Sequence, residues 1–487
     1  MNIHVPAGVA PDLAEGDTLP GAWTAAWTRD PARATLSTVD GVWVTAAELA
    51  ERTEVAAGRY AAAGLAPGDR VLVSGAPSVE LVVAYVAALR YGLAVVPANT
   101  AYTGAELATL AAEAAPRLAV LDDPARLAEV RGTTPDLAGL PAAGPATLDR
   151  VAPGDVALIV YTSGTTGRPK GAPLTHANLL AGAHAVRIAW RWTAGDRLAL
   201  CLPLFHMHGL GVGLHGTLTA GASAVILPKF DPAAVASAIR AHGATLFFGV
   251  PTMYHRLATS PHLADLRALR LAVSGSAPLP ADLHAAIEAD SGQRVLERYG
   301  MTETVMLTSN PYDGERRPGT VGFPLPGVSL RLSPRDGGVT EIEVTGPNVI
   351  AGYLDRPGAD AAAFTPDGWF RTGDLGVLDD DGYLRISGRA KELIISGGYN
   401  VYPREVEEAL RAHPAVADAA VVGAPSPEWG ETVVAFVVAD GGPALEGELA
   451  RWCADRLAPY KRPRQWRWVG AIPRNALGKV LRHELSP

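Results

Sequence analysis

The stretch DVALIVYTSGTTGRPKG, residues 155–171, decides the fold, because an apolar run of strand length leads directly into a loop of glycines, hydroxyls and one lysine. Glycine lets a backbone approach a ligand closely, while hydroxyl and ammonium groups are donors suited to phosphate oxygens. The pattern therefore predicts a buried strand followed by a phosphate-binding loop. A flexible surface turn is the alternative interpretation, because clusters of Ser, Thr and Gly are common in loops.

Lysine usage favours the phosphate-binding interpretation. The chain has 42 Lys and Arg residues, of which five are lysines. A lysine retained in such an arginine-rich chain suits a place that needs a compact ammonium charge, since guanidinium is planar, bulky and forked. Lys170 stands at the end of the predicted loop.

Length and composition indicate a globular protein of more than one domain. The chain has 487 residues, a charged fraction of 19% and no long charge run. A net charge of −8 and a pI near 5.9 argue against nucleic acid or an anionic membrane as the main partner. No signal peptide is indicated, because residues 1–20 lack a basic leader followed by an apolar core, and no membrane span is indicated, because Arg90 interrupts the most apolar run. With two cysteines far apart in sequence, we expect a cytoplasmic protein.

The order of strand-like and helix-like patterns predicts an α/β fold. Runs such as RVLVSGA (70–76) alternate with helical patterns such as VELVVAYVAALRYG (79–92), which is typical of βαβ layers. Past residue 390 the pattern restarts with two helices and two strands. We therefore predict a large N-terminal domain of βαβ layers, residues 1–390, and a small α+β C-terminal domain, residues 391–487.

The predicted phosphate loop alone does not identify a reaction, but the motifs that follow it in the sequence indicate one. A nucleotide kinase or ATPase would carry G-x-x-x-x-G-K-[ST], and no window of this chain fits that pattern. Six further motifs follow the loop in order: PLFHMHG (203–209), SGSAPL (274–279), RYGMTET (298–304), FRTGDL (370–375), GRAKELIISGGYN (388–400) and PRNALGK (473–479). Together they resemble the acyl-adenylate-forming superfamily, which includes acyl-CoA synthetases, luciferases and peptide-synthetase adenylation domains.

The resemblance implies a ligase that uses ATP, Mg²⁺ and coenzyme A. A carboxylate would attack the α-phosphate of ATP, and the thiol of CoA would then attack the acyl-adenylate. Thr302 would contact the α-phosphate, and Glu303 would hold the magnesium ion, which prefers oxygen ligands. The nucleotide-binding residues implied by the motifs are Thr162, Ser163, Gly164, Thr165, Thr166, Gly167, Lys170, Gly275, Ser276, Ala277, Tyr299, Asp374 and Arg389. Of these, Tyr299 would stack on adenine and Asp374 would bind the ribose hydroxyls.

The resemblance also implies a mobile C-terminal domain that changes orientation between the two half-reactions. Lys391 falls on the hinge position. Lys479 would stabilise charge during adenylation. Gly397 and Gly398 would border the tunnel for CoA, and His206 would line the acyl pocket.

The side chains near the predicted acyl pocket indicate which kind of acid the protein uses. The segment FFGVPTMYHRLA, residues 247–258, matches a family segment that borders the acyl pocket, and it carries Arg256. A guanidinium in a pocket implies an anionic partner, and a carboxylate matches its fork. A dicarboxylic acid, malonate or a 2-substituted malonate, is therefore expected, and the set resembles malonyl-CoA and methylmalonyl-CoA synthetases. Met306 could be a pliable wall that admits a methyl substituent. The alternative is that Arg256 faces solvent.

Three functional hypotheses follow. The first is a free-standing CoA ligase for a short dicarboxylate. The second is a monocarboxylate ligase or an adenylation partner of a carrier protein. The third is an acyl-adenylate-binding protein without turnover, which the intact Lys479, Glu303 and phosphate loop speak against.

Overall fold

The alternation predicted from the sequence is present along the chain. The computed structural model describes residues 2–6, 10–141, 146–162, 170–334, 340–396, 399–476 and 478–486. Its α-helices are α1 (Leu19–Arg29), α2 (Ala46–Ala62), α3 (Val79–Tyr91), α4 (Gly104–Ala114), α5 (His176–Ala189), α6 (His215–Thr219), α7 (Pro232–Arg240), α8 (Pro251–Ala258), α9 (Ala281–Ser291), α10 (Pro357–Ala363), α11 (Pro403–Arg411) and α12 (Glu446–Ala454).

The strands lie between these helices in the N-terminal part and are more closely spaced further on. They are β1 (Ala34–Thr38), β2 (Trp43–Thr45), β3 (Arg70–Ser74), β4 (Ala94–Pro97), β5 (Leu118–Leu121), β6 (Gly132–Thr133), β7 (Val156–Thr162), β8 (Lys170–Thr175), β9 (Arg197–Leu200), β10 (Ser223–Ile226), β11 (Leu246–Gly249), β12 (Leu271–Ser274), β13 (Leu296–Tyr299), β14 (Thr308–Ser309), β15 (Phe323–Pro324), β16 (Ser329–Pro334), β17 (Thr340–Thr345), β18 (Phe370–Leu378), β19 (Leu384–Arg389), β20 (Ile394–Ser396), β21 (Tyr399–Val401), β22 (Val416–Ser426), β23 (Gly430–Ala439) and β24 (Gln465–Trp468).

The chain packs as two units. The first comprises Met1–Ser329 and Thr345–Phe364, and the second comprises Leu330–Val344 and Thr365–Pro487. The second unit thus includes strands that precede residue 390. A grouping by packing does not locate a pivot, so the domain boundary at residue 390 and the hinge at Lys391 stay predictions.

Two sheets with parallel centres build the first unit. The larger has the strand order β15-β14-β13-β12-β11-β9-β10-β1-β2, and the smaller has the order β6-β5-β3-β4-β7-β8. The run from β13 through β12, β11, β9 and β10 to β1 is parallel throughout. Most residues of these strands are buried, as expected for parallel strands that are covered on both faces.

The opening stretch forms the edge of the smaller sheet. Strand β7 runs parallel to β4 and antiparallel to β8, and Thr162 is paired with Lys170. The residues between these two ends, 163–169, lie outside the described residues. The predicted buried strand is confirmed, because Ala157, Leu158 and Ile159 are buried.

The second unit contains a four-stranded sheet of β16 to β19, in which β17, β18 and β19 are antiparallel, and a five-stranded sheet of β20 to β24. Helices α11 and α12 cover the latter, burying Val406, Leu410, Leu449 and Cys453 against its strands. The two helices and two strands predicted beyond residue 390 are therefore present as α11, β22, β23 and α12.

Arg90, which interrupts the most apolar run of the sequence, is a buried residue of α3. Its Nη2 donates to Asp149 Oδ2 at 2.8 Å, and its Nη1 donates to Thr53 Oγ1 at 2.7 Å. The guanidinium therefore ties α3 to α2 and to the chain near residue 149. Among the residues that the structure describes, no helix combines the length and apolar character needed to cross a membrane.

We expect Arg90→Met to lower the melting temperature more than Arg52→Met. Loss of Arg90 strands the Asp149 carboxylate, and breaking a mostly buried ion pair costs ~3 to 5 kcal/mol. Arg52 pairs with Glu80 at 3.3 Å on the surface, and such a pair contributes about 0 to 1 kcal/mol. Thermal unfolding of both variants tests this order, and equal shifts would contradict a stabilising role for the buried pair.

Candidate active site

The two ends of the predicted phosphate loop are held together by strand pairing in the first unit. The pairing of Thr162 with Lys170 holds its two ends side by side. Five of the residues predicted to contact phosphate lie outside the described residues: Ser163, Gly164, Thr165, Thr166 and Gly167. Lys170 is half-buried, and its Nζ lies 5.4 Å from the centroid of the Tyr353 ring. A cation over an aromatic face is attracted by the ring quadrupole.

Glu303 also contacts Tyr353. Its side chain is buried, and its Oε1 accepts a hydrogen bond from the Tyr353 hydroxyl at 2.9 Å. Burial and the nearby Glu303 carboxylate raise the pKa of Tyr353, so the phenol remains a donor at neutral pH. The structure therefore brings the predicted magnesium ligand and the phosphate-loop lysine to one tyrosine that the sequence analysis did not identify.

The MTET motif forms a tight and strained turn. Thr302–Thr304 is a single 3₁₀ turn, and Val305, which follows it, has φ 57°. Such a backbone conformation is costly for a β-branched residue and often marks a functional site. Asn348 holds the turn from outside, donating to Thr304 O at 2.7 Å and to Met306 O at 2.8 Å. Thr302 is half-buried and Met306 is buried.

The predicted magnesium ion needs few ligands from the protein. Among the residues described by the structure, no group of three or more His, Cys, Asp or Glu side chains could hold a metal ion. Magnesium takes one or two carboxylates and completes its shell with water and substrate phosphates. Glu303, close to a phosphate-loop lysine, fits this donor set. It would therefore hold the ion together with phosphate oxygens.

The PLFHMHG motif leads into a π-helical segment, His208–Leu214. Such segments are rare and frequently occur at functional sites. Burial lowers the pKa of His206 to about 4, so its imidazole is neutral at pH 7. Burial and the charge of Arg298 also lower the pKa of His208, whose two ring nitrogens have no hydrogen-bond partner in the described part of the chain.

Arg298, which the sequence analysis did not select, is a buried residue of β13. Its Nε and Nη2 have no hydrogen-bond partner among the described residues, and burial lowers its pKa to about 9. The guanidinium fills the space beside Gly275, where an added Cβ would lie 2.4 Å from its Cζ. An arginine in a fully buried strand is unusual, and its place directly before the YG dipeptide was the sequence signal that could have revealed it.

Arg256 has a different environment. It lies in the last turn of α8, where it is exposed, and its guanidinium carbon lies 4.9 Å from the Phe230 ring centroid. In the described chain it makes no ion pair and its side chain makes no hydrogen bond. Its assignment to the substrate carboxylate stays a prediction.

The predicted adenine slot lies at the ends of β12 and β13. Gly275, Ser276 and Ala277 follow β12 directly, and Tyr299 ends β13 with its side chain mostly buried. Ser276 has φ 70°, a left-handed conformation that is uncommon outside glycine. The strain is consistent with a functional turn, and the contacts with adenine stay predictions.

The remaining predicted residues lie in the second unit. Asp374 on β18 pairs with Arg389 on β19, with Oδ1 and Nε 3.0 Å apart. Burial, together with Arg389 and Lys391, lowers the pKa of Lys479 to about 8, against the opposing effect of Glu392 and Asp374. Lys391 is exposed in a 3₁₀ turn. The predicted tunnel residues Gly397 and Gly398 lie outside the described residues.

Residues 23–354 match the AMP-binding enzyme family, and residues 405–479 match the AMP-binding enzyme C-terminal domain. A feruloyl-CoA synthase of Amycolatopsis sp is 38% identical over 497 residues, which cover 96% of this chain and 98% of that protein. A sulfoacetate–CoA ligase of Cupriavidus necator is 40% identical over 456 residues, which cover 88% and 89% of the two chains.

Two solved structures extend the likeness to the fold. ATP-bound MatB from Rhodopseudomonas palustris has a TM-score of 0.90 and 40% identity, covering 96% of this chain and 98% of that one. A malonyl-CoA ligase ternary product complex with methylmalonyl-CoA and AMP has a TM-score of 0.70 and 46% identity, covering 93% and 99%. These findings confirm the predicted α/β fold with a large N-terminal and a small C-terminal domain, and the chain belongs to the AMP-binding enzyme family.

Proposed function

We propose that the protein is an ATP-dependent acid–thiol ligase that forms an acyl-CoA through an acyl-AMP intermediate. We further propose that its acid carries a second anionic group, with malonate or methylmalonate as the leading candidates. The observation that carries the choice of acid is the buried guanidinium of Arg298, whose Nε and Nη2 have no hydrogen-bond partner in the described chain.

The first half-reaction would use Lys479, Thr302 and Glu303. A carboxylate oxygen of the acid attacks the α-phosphorus of ATP, an oxygen–phosphorus bond forms, and pyrophosphate leaves. Lys479 would stabilise the charge that develops on the reacting groups, and Thr302 would contact the α-phosphate. Bound magnesium would supply positive charge to the phosphate oxygens, with Glu303 holding it.

The second half-reaction would join the acyl group to the thiol. The sulfur of CoA attacks the acyl carbonyl carbon, the thiol proton is lost to solvent or base, and AMP leaves with the bonding electron pair. His206 would line the acyl pocket as a neutral imidazole. Gly397 and Gly398 would border the path of CoA, and Lys391 would be the hinge between the two states.

The substrate proposal rests on charge complementarity. An unpaired buried guanidinium is costly, and a carboxylate or sulfonate would compensate it. The named substrates of two relatives fit this requirement, because sulfoacetate and methylmalonate each carry a second acidic group beside the one that is activated. Met306, buried beyond the MTET turn, would be the wall that admits a methyl substituent.

A second candidate is a ligase for a monocarboxylate, favoured by the feruloyl-CoA synthase relative. Pyrophosphate release from malonate, methylmalonate, sulfoacetate, propionate and ferulate, with and without CoA, distinguishes the two. Preference for acids with two anionic groups supports our proposal. Preference for propionate or ferulate would refute it, and no turnover with any acid would favour a binding protein.

We expect Arg298→Met to cut kcat/KM for malonate by on the order of 10² to 10³, because the second carboxylate would lose a buried partner worth ~3 to 5 kcal/mol. Propionate, which has no second charge, serves as the control substrate and should lose far less. The melting temperature should stay or rise, since an unpaired buried charge is removed. Equal losses for malonate and propionate would assign Arg298 to the fold or the nucleotide site.

The sequence-based candidate Arg256 is tested in the same assay. If Arg256 binds the second carboxylate, Arg256→Ala should cut kcat/KM for malonate by on the order of 10² to 10³. Arg256→Lys should rescue only part of this loss, since a point charge does not reproduce the guanidinium fork. An unchanged kcat/KM would place Arg256 outside the acid site.

We expect Lys479→Ala to slow adenylation by ~2 to 4 kcal/mol of transition-state stabilisation while sparing thioester formation from supplied acyl-AMP. The wild-type kcat/KM for ATP–pyrophosphate exchange should fall as pH rises through about 8, because the ammonium form is the active one. Lys479→Arg, which stays charged, should lose this falling limb. A limb that persists in Lys479→Arg would belong to another group.

We expect Lys391→Pro to impair thioester formation more than adenylation. Proline fixes φ and removes an amide, which would restrain the proposed hinge. Single-turnover measurements of pyrophosphate release and of acyl-CoA formation separate the two steps. Normal acyl-CoA formation would place the pivot elsewhere.

A further inference from the structure

Residues 346–354 form a segment, here called the strap, that contacts both the MTET turn and the end of the phosphate loop. Asn348 donates to the carbonyls of Thr304 and Met306, and the amide of Ile350 donates to Glu303 O at 3.0 Å. At its other end, the amide of Leu354 donates to Gly171 O at 2.9 Å. The strap therefore joins the two parts of the first unit that are proposed to hold metal and phosphate.

Tyr353 is the one residue of the strap whose side chain contacts both functional groups. Its hydroxyl donates to Glu303 Oε1 at 2.9 Å, while its ring centroid lies 5.4 Å from Lys170 Nζ. We propose that Tyr353 is a positioning residue, which orients the Glu303 carboxylate toward a divalent cation and holds the Lys170 ammonium at the phosphate loop. The inference rests on the proposed function, in which Glu303 holds magnesium.

The direction of the hydrogen bond follows from chemistry. An ionised carboxylate only accepts, so the phenol must be the donor, and this donation fixes the plane of the carboxylate. A carboxylate that binds a metal is commonly oriented by such an outer hydrogen bond, and loss of that partner costs about 10- to 100-fold in metal affinity. The ring face acts independently of the hydroxyl, because cation attraction needs only the aromatic system.

The backbone of Tyr353 is itself held in place. Its amide donates to Asp360 Oδ1 at 2.7 Å, and Asp360 belongs to α10. A Cβ added at the preceding Gly352 would lie 2.9 Å from Asp360 Oδ2, so a side chain there would displace the carboxylate that holds the Tyr353 amide. The phenol therefore projects from an anchored turn, which suits a group that must orient another side chain.

Two substitutions separate the two contacts. Tyr353→Phe removes the hydroxyl and keeps the ring, whereas Tyr353→Leu removes both. Tyr60→Phe is the matched control, because the buried Tyr60 hydroxyl donates to Ala84 O at 3.0 Å far from any proposed site residue in sequence. Glu303→Gln locates the metal site. All variants are made in the full chain.

The primary measurement is Mn²⁺ binding, followed by electron paramagnetic resonance, in the presence of α,β-methylene-ATP, which cannot transfer its adenylyl group because its α,β bridge is not cleaved. We expect Tyr353→Phe to weaken Mn²⁺ binding about tenfold. Binding of the same nucleotide in EDTA should be unchanged in Tyr353→Phe and weakened about two- to fivefold in Tyr353→Leu. Tyr60→Phe should match the wild type in both measurements.

The outcomes distinguish failure of the inference from failure of the proposed function. If the wild type and Glu303→Gln bind Mn²⁺ equally, the metal role of Glu303 in the proposed function is wrong. If Glu303→Gln loses binding but Tyr353→Phe does not, the positioning role is overturned while the proposed function stands. If Tyr60→Phe weakens Mn²⁺ binding as much as Tyr353→Phe, the effect is a general loss of stability, which also overturns the inference.

Discussion

The parallel hydrogen-bond register of β9, β11, β12 and β13 is the constraint on which the candidate site depends. Parallel strands present their carboxyl ends at one edge of a sheet, so the segments that follow them are neighbours even when they are far apart in sequence. The PLFHMHG, SGSAPL and RYGMTET motifs each overlap or follow the end of one of these strands. The order of the strands in the sheet thereby brings these motifs close together, although no motif by itself specifies the contact.

The same constraint explains what could be predicted from the sequence. Motifs next to strand ends are local patterns, so the buried strand before the phosphate loop and the helices and strands beyond residue 390 were correctly predicted. Tyr353 could not be identified, because its relation to Glu303 and Lys170 joins three segments that are far apart in sequence. Arg298 could have been noticed as a charged residue just before the YG dipeptide, but the lack of hydrogen-bond partners for its Nε and Nη2 in the described chain is a tertiary property. Arg256 was selected from its segment alone, and α8 presents it to solvent in its last turn.

Two features of the first unit lower the stability of the folded protein: the buried guanidinium of Arg298 and the backbone conformation of Val305. A buried guanidinium whose Nε and Nη2 have no hydrogen-bond partner among the described residues destabilises the folded protein, and so does a valine with a left-handed backbone at position 305. Neither feature helps folding, and the two residues, Arg298 in β13 and Val305 after it, lie on either side of Glu303 in the sequence. Natural proteins retain such costs where function requires them. The clustering of two unfavourable features around one motif is therefore an argument for function that is independent of any relative.

The second unit couples two proposed tasks through electrostatics. Asp374 and Arg389 form an ion pair that would also bind ribose, and both charges act on the pKa of Lys479, Arg389 lowering it and Asp374 raising it. Any ligand that changes how these two charges are exposed to Lys479 changes the fraction of ammonium present near pH 8. Ribose binding and the charge of the proposed catalytic lysine would thus be linked within one unit, since the carboxylate proposed to accept ribose hydroxyls also favours the ammonium form. A substitution at Asp374 would therefore alter two properties at once, so its kinetic effect would exceed that of a lost ribose contact alone.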